Sequence, residues 1–489
     1  MSTGRFLGHP VGFSTLFFTE LWERFSYYGM RAILVLFLVG AVATGGMGLD
    51  DRTATAIYGL YTAGVYIASM PGGWVADRLL GAQRAVFWGG SLIALGHLIL
   101  AIAGEPRTFL VGLAVIVMGT GLLKPNVSAL VGEMHRGDNA QRDAAFTLFY
   151  MAINIGAAAG PLLVALLAKQ FGWHVGFASA AVGMVLGLTW FRFTKSRLGE
   201  AGAVPPGAPQ GRALRREWII LWTALGALAL FAALLWSGAI HLSAIALQGG
   251  AIQVMVLVVV AYFLYLLFFA GLTAIERRGV ALLGLLIIAS TLFWAGYEQA
   301  GSSLTLFAER YTDRMIGSFQ FPAGWFQSVP AVFVLVFAPV MAWLWTHLGA
   351  RGRDLSVITK FALGLAGMGI GFLVMVGAAK VMGTGAAAAP WWLVFTYLFH
   401  TLGELCLSPV GMSATTRLAP KRFSGQAMGL WFTSLAMGNL FASRLAGDLA
   451  GAGSSEFIAY FLRMFGWGAG GALVLLLLLP WLRRWADPK

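Results

Sequence analysis

The first long apolar segment of the chain carries a dense set of ionisable and phenolic side chains. Two carboxylates, two guanidinium groups and two phenols lie within twelve residues, at spacings of three, four, seven, eight and eleven from the first member. On an α-helix these spacings form one stripe, because residues three and four apart share a face. The stripe consists of Glu20, Glu23, Arg24, Tyr27, Tyr28 and Arg31. Carboxylates beside strong bases can exchange protons and bind charged solutes, which makes this stripe the first candidate site.

Ionisable groups of this kind are expensive inside a membrane span. Each costs about 2.5–3.5 kcal/mol near the bilayer centre even on lenient insertion scales, so four cost on the order of 10 kcal/mol. Glu20 and Arg24 lie four residues apart and can form an ion pair within the helix. Charges that only hold helices together would account for one such pair, but not for four charges and two phenols. We therefore interpret the stripe as the lining of a polar cavity.

Further polar and aromatic side chains lie inside later apolar segments. For Lys124, Glu298 and Glu404 the cost of burial favours a functional role. For Tyr66 and Asn154, considered alone, hydrogen bonding between helices is the simpler interpretation. The additional candidates are Tyr66, Lys124, Asn154, Trp294, Glu298, Glu404 and Trp431.

Together these groups can recognise both ends of a zwitterion. Arg31 and Lys124 can hold a carboxylate, whereas Glu404 with Asn154 can hold an ammonium group. The tyrosine and tryptophan rings offer apolar walls with polar tips. The side chains therefore predict a cavity for a solute of amino-acid or peptide size, with proton coupling through the carboxylates.

The chain lacks the motifs of common hydrolytic and nucleotide-dependent enzymes. It contains no Walker-type phosphate loop, no His-Glu-x-x-His and no Gly-x-Ser-x-Gly. Its seven histidines are scattered, and its single cysteine, Cys406, lies in an apolar run, so we expect neither a metal site nor a disulfide. We therefore predict a protein that is not an enzyme and needs no cofactor.

The composition requires that most of the chain lie within a membrane. Hydrophobic residues make up 59% and charged residues 11% of the 489 residues, and the mean hydropathy is +0.79. Soluble domains carry roughly a quarter charged residues. Apolar runs long enough to cross a bilayer, about 20 residues, occur fourteen times. Most of the 33 basic residues lie in alternate connections, which predicts cytoplasmic termini rather than a nucleic-acid surface.

A stretch rich in proline and glycine at 195–216 divides the chain. It contains Pro205, Pro206 and Pro209, and we expect it to be an exposed cytoplasmic linker. The two spans that follow have no Asp, Glu, Lys or Arg between 219 and 274, which predicts a lipid-facing hairpin outside the polar site. The predicted architecture is an all-α membrane protein with a six-helix bundle at 1–194, the linker, an inserted hairpin at 217–275 and a second six-helix bundle at 276–489.

Several motifs resemble those of one transporter family. Residues 20–29, Glu-Leu-Trp-Glu-Arg-Phe-Ser-Tyr-Tyr-Gly, closely resemble the first-span signature of the proton-dependent oligopeptide transporter (POT) family of the major facilitator superfamily. Residues 73–81 are similar to the loop motif of that superfamily, and residues 146–156 to the fifth-span signature of the family. Other segments similar to family segments are 121–128, 293–301 and 403–409. These matches extend over essentially the whole chain.

The resemblance implies a major facilitator fold, with two six-helix bundles around a central cavity and an inserted helix pair. It implies a symporter that uses the proton gradient, without a cofactor, to import di- and tripeptides by alternating access across a bacterial inner membrane. The partners would be peptides, protons and the lipid bilayer, with no nucleic acid, and the monomer would be functional. The implied proton-coupling residues are Glu20, Glu23, Arg24 and Glu298. The implied peptide-binding residues are Tyr27, Tyr28, Arg31, Tyr66, Lys124, Asn154, Trp294, Glu298, Glu404 and Trp431.

The resemblance also implies separate roles for the two ends of the peptide. Arg31 and Lys124 would face its carboxylate, and Glu298 would form a salt bridge with one of these bases. Asn154 and Glu404 would meet its amino end.

The chain departs from the family pattern at two positions. Tyr297 stands where members often have Glu, and Pro330 follows a Phe-Gln-Ser-Val sequence where members often carry Asn-Pro. One contact to the amino end is therefore absent or replaced, which leaves the range of substrates open. The alternative is a proton-coupled transporter of another small solute, such as an anion, an amino-acid conjugate or a drug. A membrane-embedded transferase or a passive channel fits less well, because no nucleophile or metal site is evident and acids and bases are mixed.

Overall fold

The structure is a computed structural model that describes residues 4–135, 139–207, 209–449 and 451–486. Helices account for most of these residues; fourteen of the described helices have 21 residues or more, and one is short. They are α1 Gly12–Val39, α2 Asp51–Val75, α3 Ala82–Ile102, α4 Pro106–Met134, α5 Asn139–Phe171, α6 Trp173–Thr194, α7 Arg212–Trp236, α8 Ala244–Leu264, α9 Ala274–Tyr297, α10 Ser303–Tyr311, α11 Val329–Ala350, α12 Val357–Gly383, α13 Trp391–Leu418, α14 Ser424–Gly447 and α15 Ser454–Ala486.

The fourteen long helices match the fourteen predicted spans one for one. In the part of the chain that the structure describes, eleven helical segments are both long and apolar enough to cross a membrane. The long helices outside that set are α1, α2 and α14. In α1 the reason is the four charges of the predicted stripe. The protein is therefore a multi-span, all-α membrane protein whose first span carries its charges in the interior of the helix.

Short strands form two hairpins. Strand β1, Arg5–Phe6, pairs with β2, His9–Pro10, and β3, Met315–Ile316, pairs with β4, Phe319–Gln320, both antiparallel. The first hairpin is attached to the end of α4, because Nδ1 of His9 lies 3.1 Å from Nε2 of His135 in a buried hydrogen bond. Burial and the neighbouring imidazole lower the pKa of His9, which favours its neutral form.

The chain forms two compact units. Unit 1 comprises Met1–Gly48 and Gly64–Ser243, and unit 2 comprises Leu49–Ala63 and Ala244–Lys489. In unit 1, α1 packs against α5 and α6, and α3 packs against α4 and α6. In unit 2, α12 packs against α13 and α15, and α9 packs against α14.

Glycines of α5 bring the backbone of α1 unusually close. A Cβ added at Gly156 would collide with the carbonyl oxygen of Leu21 and lie 2.9 Å from Cβ of Arg24. A Cβ added at Gly160 would collide with the carbonyl oxygen of Phe25. The two glycines are four residues apart, the small-residue spacing that lets membrane helices pack closely. This contact fixes the part of α1 that carries the polar stripe.

The stretch at 199–207 is hydrogen-bonded to the connection between α2 and α3. The amide of Gln83, at the start of α3, donates hydrogen bonds to the carbonyl oxygens of Gly199 (3.0 Å) and Ala201 (2.7 Å). The backbone N–H of Gly207 donates to the carbonyl oxygen of Asp77 at 3.1 Å. The stretch is therefore attached to the α2–α3 connection through backbone groups, while five of its nine residues are exposed. Its role as a cytoplasmic linker stays a prediction.

The two helices α7 and α8, which have no acidic or basic residue between 219 and 274, are exposed as a lipid-facing pair would be. None of the described residues of α7 is buried, and Gln248 is the one buried residue in α8. Its amide donates a 2.6 Å hydrogen bond to Oγ of Ser443 in α14. α7 belongs to unit 1 and α8 to unit 2, so each helix is associated with a different unit.

Candidate functional site

The polar stripe of α1 contains a buried ionic cluster. Nε of Arg24 lies 2.9 Å from Oε1 of Glu20 and 2.5 Å from Oε2 of Glu23. The three residues are 3%, 2% and 0% exposed, respectively. The predicted ion pair between Glu20 and Arg24 is confirmed, and Glu23 joins it from the adjacent position. One guanidinium group therefore serves two carboxylates, and the cluster as a whole carries one excess negative charge when both are ionised.

Several atoms of this cluster have no hydrogen-bond partner. Among the described residues, none bonds Oε2 of Glu20, Oε1 of Glu23 or Nη2 of Arg24. Buried polar atoms without partners are rare in folded proteins, since each forgoes the hydrogen bonds it would make in water. A bound proton would remove the excess charge and supply a donor. The arrangement is therefore chemically suited to taking up and releasing a proton.

Aromatic rings continue the stripe beyond the ionic cluster. The guanidinium of Arg24 lies 5.5 Å from the ring centre of Tyr27, and that of Arg31 lies 5.8 Å from the ring centre of Tyr28. The two tyrosine rings meet edge to face, with centres 5.1 Å apart. These contacts are in the range of cation–π attraction, which orients both bases along the helix. Tyr27 and Arg31 are buried, whereas Tyr28 is half-buried.

Lys124 brings a third base of unit 1 into the same electrostatic environment. Its ammonium lies 4.1 Å from the ring centre of Tyr66 in α2 and interacts electrostatically with Glu23. Both Lys124 and Tyr66 are half-buried. α4 continues through Pro125 without interruption. The amide of Asn126 bonds the carbonyl oxygen of Leu122 at 2.6 Å next to the proline.

Asn154 lies on α5, the helix that packs most closely on the polar stripe. It is buried, and its amide donates a 2.9 Å hydrogen bond to the carbonyl oxygen of Tyr150 in the same helix. Unit 1 therefore brings the α1 stripe and Lys124 together, with Tyr66 against the lysine. The role of Asn154 in binding stays a prediction.

In unit 2 the predicted residues of α9 lie where that helix is interrupted. α9 ends at Tyr297, and Glu298 begins a tight turn that runs to Gly301 before α10 starts. Trp294 and Glu298 are buried. Nε1 of Trp294 has no hydrogen-bond partner in the described part of the chain. Interrupted helices are common at substrate sites of transporters, because their ends expose backbone and side-chain groups at membrane depth.

Glu404, on α13, lies next to Tyr297 and Glu298 at the end of α9. The hydroxyl of Tyr297 donates a hydrogen bond to its carboxylate, and the carboxylate of Glu298 acts on it electrostatically. Oε2 of Glu404 is buried and unbonded within the described residues. Glu298 and Glu404 are thus brought together, with a phenol bound to one of them. The predicted salt bridge of Glu298 with Arg31 or Lys124 stays a prediction.

Trp431 is buried between helices and does not line an open cavity. It is 1% exposed, its ring occupies the space that a Cβ at Gly411 would need, and Phe361 lies 6.4 Å away. These contacts join α14 to α13 and α12. Trp431 therefore lies in the core of unit 2, and a role in binding stays a prediction.

Sequence reasoning missed two residues near Glu404. In the sequence, Tyr297 stands out only as a departure from the family pattern, and His400 is one of several scattered histidines. His400 is buried, with Nε2 3.2 Å from the carbonyl oxygen of Met368, and its ring lies 6.3 Å from that of Tyr297. Its position four residues before Glu404 places it on the same helix face. The spacing of four residues is the sequence feature that could have linked His400 to Glu404.

A cavity lies away from both groups of buried ionisable residues. It has a volume of about 660 Å³ and is lined by residues 354–357, by Lys360 and by side chains of α13 between Pro409 and Arg417. None of the predicted binding residues lines it. Among the described residues, no group of three or more His, Cys, Asp or Glu side chains could hold a metal ion.

Fourteen membrane-length helices with two groups of buried ionisable side chains define a multi-span membrane transporter. A family model described as the POT family matches residues 83–457. The chain is 40% identical over 453 residues to the peptide transporter YePEPT of Yersinia enterocolitica subsp. palearctica, covering 91% of this chain and 89% of that one. It is 36% identical over 434 residues to a di-/tripeptide transporter of Lactococcus lactis subsp. cremoris, covering 87% of each.

The structural comparison agrees with the sequence comparison. A crystal structure of a peptide transporter, POT, in complex with sulfate superposes with a TM-score of 0.92 at 40% identity, covering 99% of this chain and 97% of that one. The chain belongs to the POT family. Its fold is the all-α major facilitator fold, in which two six-helix bundles are accompanied by an inserted two-helix hairpin.

Proposed function

We propose that this protein is a proton-coupled symporter that imports di- and tripeptides by alternating access. The observation that carries the proposal is the buried Glu20–Arg24–Glu23 cluster in a membrane helix of a POT family chain. We place it in a bacterial inner membrane, with both termini cytoplasmic, acting as a monomer without a cofactor. The names of the Yersinia and Lactococcus relatives support peptides as the cargo.

Peptide recognition would use groups of opposite charge. Arg31 and Lys124 can bind the peptide carboxylate, because both are cations held near aromatic rings that limit their orientation. Glu404 has an unbonded oxygen that can accept from the peptide ammonium, with Asn154 as a further amino-end contact. Trp294 supplies an apolar surface with a free indole N–H.

Proton coupling would use the carboxylates of both units. Glu20 and Glu23 share one guanidinium, so protonation of either changes the charge of a cluster shielded from water. Glu298, at the interruption of α9, is the second proton-coupling position that we propose. Its closeness to Glu404 would link protonation to the site of the amino end.

The test is uptake of labelled dialanine into proteoliposomes, with an inward proton gradient imposed or collapsed. Wild type should accumulate dialanine only with the gradient, and other di- and tripeptides should compete. The Glu20→Gln and Glu23→Gln variants should lose gradient-driven accumulation but retain exchange of peptide between the two sides. Glu456→Gln, which changes an exposed carboxylate at the start of α15, is the matched control and should behave as wild type.

Two outcomes would contradict the proposal in different ways. Gradient-driven uptake that survives both glutamine substitutions would remove the coupling role of the α1 cluster. Absence of dialanine uptake by folded wild-type protein would leave the fold standing and assign the cargo to another small solute.

A further inference from the structure

Tyr297 is held among aromatic rings and donates a hydrogen bond to Glu404. Its ring stacks on Phe293, with centres 5.7 Å apart, and meets Trp294 edge to face at 5.2 Å. His400 flanks it at 6.3 Å from α13. Rings on three sides restrict the rotation of the phenol, so the direction of its O–H group is set by packing.

The hydrogen bond from Tyr297 divides the two oxygens of Glu404 into different roles. One oxygen accepts from the phenol, while Oε2 is buried and unbonded among the described residues. An ionised carboxylate only accepts hydrogen bonds, and an ammonium group offers three donors. The free oxygen is therefore an acceptor already oriented for a cationic group.

The phenol also provides this orientation without adding charge. Glu298 and Glu404 are close enough to interact electrostatically, so a third carboxylate at position 297 would increase repulsion within the group. A neutral donor holds Glu404 in place and leaves its negative charge available to the ligand.

We propose that Tyr297 is a positioning residue that determines selectivity for a free amino end, by holding one carboxylate oxygen of Glu404 so that the other meets the peptide ammonium. The inference rests on the proposed function, because it assumes that the ligand is a peptide whose amino end binds Glu404. It predicts discrimination between peptides with free and blocked amino ends.

The first experiment compares wild type with Tyr297→Phe, which removes the hydroxyl and keeps the ring. Affinity for dialanine should fall on the order of tenfold, the usual effect of losing one hydrogen bond to a charged group. Affinity for N-acetyl-dialanine, which has no ammonium, should stay the same. In uptake assays KM for dialanine should rise while the maximal rate changes little. Tyr262→Phe, which removes a phenol hydroxyl bonded to Gln426, is the matched control and should change neither affinity.

The second experiment tests whether Tyr297 acts through Glu404. In a Glu404→Gln background, adding Tyr297→Phe should cause no further loss of dialanine affinity, because the oriented carboxylate is already gone. An equal loss in both backgrounds, an equal loss for both ligands, or no loss at all would overturn the inference. The unchanged affinity for N-acetyl-dialanine reports that the variant is folded.

The affinities are measured on the same protein without a gradient. Absence of gradient-driven uptake by wild type would therefore reject the proposed symport, while the affinity ratio would still decide the role of Tyr297. A wild-type protein that binds the free and blocked peptides equally would overturn the inference directly.

Discussion

Replacing Arg24 by Gln should destabilise the protein strongly, since it removes the one guanidinium that two buried carboxylates share. At about 4 Å and an effective dielectric constant of about 20, each attraction amounts to about 4 kcal/mol. Proton uptake and local rearrangement limit the loss, and removal of one partner from a buried ion pair typically costs about 3–5 kcal/mol. We expect the free energy of unfolding to fall by an amount in that range. Glu20 and Glu23 are 2% and 0% exposed, so their carboxylates cannot be solvated by water once the guanidinium is removed.

The measurement is thermal unfolding of purified protein in detergent, read as loss of the monodisperse species. Arg463→Gln is the control, because Arg463 is exposed, with its guanidinium 5.6 Å from the ring centre of Tyr460. This substitution should change the free energy of unfolding by no more than about 0.5 kcal/mol. The triple variant that also carries Glu20→Gln and Glu23→Gln should recover most of the loss, since no charge then lacks a partner. Equal stability of the Arg24 and Arg463 variants would refute the reasoning, and so would a triple variant no more stable than Arg24→Gln.

Two further predictions concern packing and helix capping. Gly156→Ala should cost about 1–3 kcal/mol in the same unfolding assay, because its methyl group would meet the backbone of α1, whereas Gly226→Ala on α7, with open space around it, should be neutral or slightly stabilising. Asp50 caps α2 through hydrogen bonds from the backbone N–H and hydroxyl of Thr53, which hold its pKa below the ordinary 3.8, so Asp50→Ala should cost about 1 kcal/mol near neutral pH. Because the folded-state pKa is depressed, the part of this contribution that depends on the ionised carboxylate is present above about pH 4 and is lost as the pH falls through the folded-state value; a difference between wild type and Asp50→Ala that does not shrink as the pH falls below about 4 would contradict it.

The features that the sequence predicts well are those decided within one helix. The fourteen spans follow from the length and polarity of each run, and the ion pair of Glu20 with Arg24 follows from a spacing of four residues. Neither requires knowledge of the neighbouring helices. Hydropathy alone does not identify α1 as a membrane span, because it counts the four charges of the helix without regard to their pairing.

The features that sequence reasoning missed depend on contacts between distant segments. Tyr297 reaches Glu404 across two helices that no local pattern connects. Trp431 is buried because Gly411 leaves room for its ring, a complementarity visible only once α13 and α14 are packed. The stretch after Lys195 has the composition of a flexible linker, yet its carbonyl groups find a partner in Gln83.

The charges of α1 can enter a membrane because the helix itself balances them. Its two acids and two bases sum to zero, and three of the four are joined by contacts within α1. Membrane helices insert before they pack against one another, so pairing inside the helix lowers the cost of insertion before any neighbour is present. Packing of α1 against Gly156 and Gly160 then only has to exclude water from a cluster that is already formed. On this argument, separating Glu20 from Arg24 by moving the acid to another helix should impair insertion of α1 even if the folded bundle could pair the two charges.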